Sequence, residues 1–330
     1  MSAIAPSLQG FFTERLVNQK RASANTITAY RDTFRLLVTF ASKRSGKSPC
    51  ELDFDDLDAT VIAAFLDYLE AERGNSARTR NTRLAAIHSM YRYAALQHPE
   101  HADLLGRVLA IPTKRTERYD VSFLEPPEVD ALLAAPDRTR WVGRRDHTLL
   151  LTAIQTGLRV SELTSACWGD VQLGRGPHIR CTGKGRKQRA TPFTAQTVAA
   201  LKVWGQEHNV EPHAPLFPTS RGRRLSTDAV ALLVAKHAAS AQHQCPSLKA
   251  KSVTPHTLRH TCAMTLLRAG VEVAVIALWL GHEDLETTVR IYLHADMGIK
   301  ERALARTTPP DTTPGRYRPP DRLLAFLEAL

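Results

Sequence analysis

Two short stretches in the second half of the chain combine residue types that do chemistry. In Thr156-Gly157-Leu158-Arg159-Val160-Ser161-Glu162-Leu163, an arginine opens a helix just after a glycine break, and Glu162 follows one turn on. In His256-Thr257-Leu258-Arg259-His260, a histidine and a second arginine lie three residues apart; Leu280-Gly281-His282 and then Tyr292 follow. Guanidiniums bind oxyanions through two parallel hydrogen bonds, imidazole moves protons near neutral pH, and a phenol becomes a nucleophile once a base takes its proton. Each residue also has a plainer reading. Arg159 could simply pair with Glu162, and Tyr292, flanked by Ile291 and Leu293, could belong to a core. His256 and His260 have a spacing that can ligate zinc on a helix. No glutamate follows the first histidine, however, and no third ligand is evident.

In chain order, Arg159, Lys184, His256, Arg259, His282 and Tyr292 resemble the pattern of the tyrosine recombinases, also called the phage-integrase family. That pattern is an arginine in a G-L-R-x-x-E-L context, a lysine in a β-turn, H-x-x-R, a G-H pair and a tyrosine shortly after. The Ser-Ala-Asn-Thr-Ile-Thr-Ala-Tyr run from Ser23 to Tyr30 is similar to the opening of the family's core-binding domain. The resemblance implies a site-specific DNA recombinase that cleaves and rejoins strands through a 3′-phosphotyrosyl intermediate at Tyr292, with no ATP, metal or other cofactor.

The chemistry accounts for these residue types. Attack on a phosphodiester adds negative charge to the non-bridging oxygens, which Arg159 and Arg259 can clamp. His256 is the candidate base for Tyr292 and the acid on the way back. Lys184, between Gly183 and Gly185, is the candidate acid for the departing 5′ oxygen. His282 is expected to hydrogen-bond the phosphate, and Glu162 to support Arg159. Lys184 has competitors in Arg186, Lys187 and Arg189, any of which could merely touch phosphate. Tyr30, Tyr68, Tyr91, Tyr93, Tyr119 and Tyr317 lack an upstream G-H pair. His282 and Tyr292 are ten positions apart, one more than the commonest family spacing. On a continuous helix one residue turns a side chain by about 100°, so a turn between Glu283 and Thr288 must absorb the difference.

The rest of the chain fits a polyanionic partner. Lys and Arg number 44 against 33 Asp and Glu, for a net charge of +11, and clustered cations gain free energy by releasing counterions from double-stranded DNA. The five cysteines are scattered and contain no C-x-x-C, which argues against a disulfide framework. No apolar run is long enough to span a bilayer, and the N-terminus has no signal-peptide pattern, so a cytoplasmic protein without membrane contact is expected. There is also no G-x-x-x-x-G-K-[ST] loop.

Periodicity predicts a mainly α protein with a small antiparallel β-sheet in its second domain. Residues 1–111 read as a helical core-binding domain. Helices capped by Ser23, Asp58 and Ser76 turn Phe34 and Leu37, Phe65 and Leu69, and Leu84 and Ile87 inward. Arg78, Arg80 and Arg83 at the start of the third helix are candidate DNA contacts. Residues 112–122, polar and aperiodic, read as a linker. The resemblance implies that residues 123–306 are the catalytic domain, and a sheet is expected within Val171–Phe193. Residues 307–330 are a Pro- and Thr-rich tether ending in an apolar helix with Leu323, Leu324, Phe326, Leu327 and Leu330. That helix could dock on its own chain or on a neighbouring copy. The resemblance implies a homo-tetramer on paired sites. The nearest competing readings are a topoisomerase-like relative and a non-catalytic DNA-binding regulator. The first core-like helix starts early, so an additional N-terminal arm-binding domain is not expected.

Overall fold

The computed structural model describes residues 4–116, 122–183, 188–207 and 210–281. The chain divides between residues 119 and 120 into two compact units, each with its own apolar core.

The first unit contains α1 (Ile4–Gly10), α2 (Ala24–Ser45), α3 (Ala59–Ala71), α4 (Ala77–Ala94) and α5 (Ala102–Leu109). Ser23, Asp58 and Ser76 start α2, α3 and α4 as expected, each side chain accepting a backbone N–H three residues on. Each cap thus satisfies one of the donors that a helix start leaves without an internal partner. The expected inward faces meet in one core: Phe34 and Leu37, Ile62, Phe65 and Leu69, and Leu84, Ile87 and Tyr91 are all buried. The Tyr91 hydroxyl donates to the Leu57 carbonyl at 2.6 Å. Burial pushes its pKa above the usual phenol value, and at 0% exposed the ring has no face open to a substrate.

Two helical pieces of this unit were not legible from period. α5 adds Leu105 and Val108 to the core. Ahead of α2, α1 continues into a wider-wound π turn over Phe11–Gln19, in which the Lys20 N–H reaches back five residues to the Arg15 carbonyl. That winding aligns Phe11 with Leu16, both buried, at a five-residue step that a 3.6-residue pattern does not register. Phe11 packs within about 6 Å of the Tyr30, Phe34 and Tyr93 rings.

The second unit has α6 (Pro126–Ala134), α7 (Trp141–Thr156), α8 (Val160–Ser165), β1 (Val171–Gln172), β2 (His178–Thr182), β3 (Gln188–Pro192), α9 (Ala195–Gln206), α10 (Thr227–Ala241), α11 (Pro255–Arg268) and α12 (Val273–Leu280). The strands form the expected small antiparallel sheet in the order β1-β2-β3. Ile179 faces Thr191 and Cys181 faces Arg189. Leu150, Ile179, Leu201, Trp204, Val234 and Leu258 bring α7, the sheet, α9, α10 and α11 into one core. A buried ion cluster braces it. Asp146 accepts from Arg145 at 2.8 and 3.0 Å and lies 2.8 Å from the His237 ring. Such a buried carboxylate is tolerated only because its oxygens are paired.

Candidate active site

Three chain turns build the site. α7 ends at Gly157, in the left-handed region at φ 64°. A Cβ there would stand 2.6 Å from Leu280 Cδ2 and 3.1 Å from Cys262 Sγ. Glycine is therefore required twice over, by backbone conformation and by space. Gly157→Ala should cost about 1–2 kcal/mol for the conformation and about 1–3 kcal/mol for overpacking. Thermal unfolding should show this as a drop of several degrees, and an unchanged melting temperature would contradict this packing.

Two residues beyond Gly157, Arg159 caps α8 with extended backbone. Its N–H donates to Glu162 Oε2 at 2.8 Å and its Nη1 to Glu162 Oε1 at 3.0 Å. Its Nη2 donates to the Gly281 carbonyl at 2.9 Å. The side chain remains 32% exposed, so it can still meet a ligand. Arg259 is different: it is 2% exposed and donates to the carbonyls of Gly157 and Leu280, each at 2.7 Å. α11, which carries it, is started by Pro255 and by Thr254, whose hydroxyl accepts the Thr257 N–H. This phase buries Arg259 while leaving His256 exposed in the first turn.

Arg189, from β3, completes the arrangement. It donates to both oxygens of Glu162, at 2.8 and 2.7 Å, and its Nε donates to the Trp279 carbonyl at 3.1 Å. Trp279, Leu280 and Gly281, three successive carbonyls at the end of α12, thus each accept from a guanidinium on a different element. A helix end leaves these carbonyls without internal partners and concentrates partial negative charge there, so cations are favoured. Among these groups Glu162 is the one carboxylate, and it pairs with two of the three arginines, Arg159 and Arg189. Burial alone would raise its pKa, but the hydrogen bonds from Arg189 and from the Arg159 N–H, with both charges, hold it below the usual carboxylate range. The cluster keeps an excess of positive charge, suited to an anion.

The His256 and His260 rings lie 4.9 Å apart on one face of α11. Burial, aided by the nearby His256 and Arg259, pushes the His260 pKa down to about 4, which keeps that ring neutral at physiological pH. Among the described residues, no three His, Cys, Asp or Glu side chains are grouped as a metal would need. Lys184, Arg186, Lys187, His282 and Tyr292, the turn between the last two, and the tail from 307 to 330 lie outside the described residues.

Two expected DNA contacts need correction. Arg80 is 6% exposed; its Nη1 donates to the Pro112 carbonyl and to Asn81, with Glu70 beside its Nε. It falls four, seven and eleven residues before Leu84, Ile87 and Tyr91, on their buried face, so it holds residue 112 against α4 instead of meeting a ligand. Arg189 shares a strand face with the buried Thr191 and Phe193, and alternation turns it inward to Glu162. Both signals were present in the sequence. Arg78 is exposed and Arg83 partly so.

Both units fall within the reach of known family models. Residues 122–298 match the model of the phage integrase family, and residues 10–98 match its N-terminal SAM-like domain. The chain belongs to the phage integrase family. Among its relatives, a Sinorhizobium fredii protein named as an integrase/recombinase, y4rC, is 54% identical over 329 residues, covering 100% of this chain and 99% of the relative. Tyrosine recombinase XerC of Pelobacter propionicus is 31% identical over 304 residues, covering 92% and 95%. The fold is shared with the Tn1549 transposon integrase in complex with circular intermediate DNA, at TM-score 0.69 and 15% identity over 93% of this chain and 100% of that one. It is also shared with XerH recombinase bound to palindromic difH substrate, at TM-score 0.68 and 22% identity over 87% and 81%.

Proposed function

We propose that this chain is a site-specific DNA recombinase that cuts and rejoins strands through Tyr292. The observation that carries the reading is the convergence of Arg159 and Arg259 beside the end of α12, directly ahead of His282 in the chain. In this scheme the Tyr292 oxygen attacks phosphorus and His256 takes the phenol proton. Arg159, Arg259 and His282 stabilise the added charge on the phosphate oxygens. The 5′ oxygen leaves with a proton supplied by Lys184, and the 3′ phosphate stays on the tyrosine. The phosphotyrosyl ester conserves the energy of the broken bond, so religation to another 5′ hydroxyl needs no nucleotide, and the charge stabilisation falls to the arginines instead of a metal.

Double-stranded DNA is the partner in this reading. Residues 1–111 supply a DNA-binding domain, with Arg78 and Arg83 toward phosphates, 112–122 serve as the linker, and 123–306 form the catalytic domain. Arg186 and Lys187 are further phosphate contacts. Residues 307–330 pass to a neighbouring copy within a homo-tetramer on paired sites. An apolar groove of about 520 Å³ in the second unit, lined by Phe123, Leu133, Leu151, Ile154 and Trp279, supports a receiving surface for the apolar residues of that tail. The protein acts in the cytoplasm. No helix among the described residues is long and apolar enough to cross a membrane.

The test uses nicked duplexes tiled across the DNA flanking the protein's own gene, which trap a cleaved strand by losing the short 5′-hydroxyl fragment. Protein-linked DNA surviving denaturation, and forming in the presence of a chelator, is the expected result. Tight, sequence-specific binding with no adduct on any tile would overturn the reading in favour of a DNA-binding regulator.

A further inference from the structure

We infer that Arg189 is a positioning residue for strand cleavage, which sets Arg159 through Glu162 and anchors both to the end of α12. The inference rests on the recombinase reading above and assigns to that site a residue beyond those proposed to touch the phosphate. Its geometry uses the whole guanidinium: two nitrogens go to the two oxygens of Glu162, and Nε goes to the Trp279 carbonyl. Glu162 in turn takes the N–H and Nη1 of Arg159, whose Nη2 returns to Gly281, two residues beyond Trp279. The contacts close a ring through β3, the start of α8 and the end of α12. All three side-chain nitrogens of Arg189 are engaged by Glu162 and the Trp279 carbonyl, so the side chain is committed within the ring. Gly281 leaves it room: at φ 66°, a Cβ there would stand 2.7 Å from Arg189 Nη1.

Only arginine can close this ring. A lysine keeps the charge but has one nitrogen in place of a planar fork, so it cannot hold both carboxylate oxygens and the carbonyl together. Without the fork, Glu162 loses its fixed orientation and Arg159 the angle at which it meets a phosphate. A misplacement of about 1 Å in such a group can slow a reaction about 100-fold.

The groups around Glu162 define a second signature. Arg159 stands on its own helix cap, Arg189 on β3 and Cys181 on β2, with Arg259 of α11 acting on Cys181. α10, packed on α8, gives its buried His237 to Asp146. Burial pushes the Cys181 thiol up to about 11, so it stays neutral from mildly acidic to mildly basic pH. With Arg189 removed, the burial of Glu162 loses its main compensation, and the carboxyl pKa must rise. Cleavage by Arg189→Gln should then recover toward the wild type as pH rises and Glu162 ionises, which generalised damage to the fold would not produce.

The experiment measures adduct formation by the full-length chain at saturating nicked duplex, together with affinity for the same duplex. Arg189→Lys is expected to bind like the wild type and cleave about 100-fold more slowly. The deficit of Arg189→Gln relative to wild type should shrink with rising pH, and that pH dependence should vanish in Glu162→Gln/Arg189→Gln. Should Arg189→Gln fail to fold, the Arg189→Lys rate at saturation decides. Wild-type rates in Arg189→Lys, or weaker binding with an intact rate at saturation, would overturn the inference. A deficit in folded Arg189→Gln that does not vary with pH would do the same. Absence of adduct in the wild-type arm would instead overturn the recombinase reading itself.

Discussion

Tyr292→Phe is expected to bind its DNA as tightly as the wild type and to form no covalent adduct. The substitution removes one oxygen and keeps the ring, a volume-conserving change of the kind that costs little in stability. Affinity for DNA comes largely from phosphate contacts spread over many cations, none of which changes. What is lost is the proposed nucleophile, for which a phenyl ring has no substitute. The cleavage rate should fall by at least about 10⁴-fold, the scale on which loss of a nucleophile is felt. Gel shift and a denaturing gel on the same duplex check the two halves separately. Adduct formation by the variant would show that another side chain attacks.

Arg159→Ala carries the second large effect. On the proposed reading, the partly exposed Arg159 guanidinium meets the phosphate where charge develops as phosphorus is attacked, and a preorganised donor there is worth most in the transition state. Its removal should lower the cleavage rate at saturating DNA by about 10²–10³-fold, with affinity little changed. Single-turnover cleavage across a DNA titration separates the two terms. A loss confined to affinity would make Arg159 a plain phosphate contact. Arg159→Lys should recover little, because the ammonium cannot serve Glu162, the Gly281 carbonyl and a phosphate in one planar fork.

The sequence made the helix starts legible because capping is local: Ser23, Asp58 and Ser76 each act on an N–H three residues away. The sheet was legible for a similar reason, its short pieces being separated by glycines. The π turn after Gly10 escaped because its five-residue step falls outside the helical period, and short α5 was also not anticipated. At the site, local pattern placed Arg159 on a helix start just after a glycine break, and His256 and Arg259 in the opening turns of a helix from His256 to Arg268. It could not reveal that the last carbonyls of α12 would gather three arginines, since that depends on packing between elements distant in the chain. Arg80 and Arg189 were misread for a shared reason. A basic side chain in a basic run reads as surface, while position on the buried face, with Leu84 in one case and Thr191 in the other, was the stronger signal.

The most direct test of the central claim is to identify the atom that holds the DNA. Wild-type chain trapped on a nicked duplex would be digested with nuclease and protease, and the nucleotide-bearing peptide sequenced by mass spectrometry. A 3′-phosphonucleotide on Tyr292, with a free 5′ hydroxyl on the released fragment, is the predicted result. A linkage to any other residue, or to the 5′ phosphate, would contradict the account.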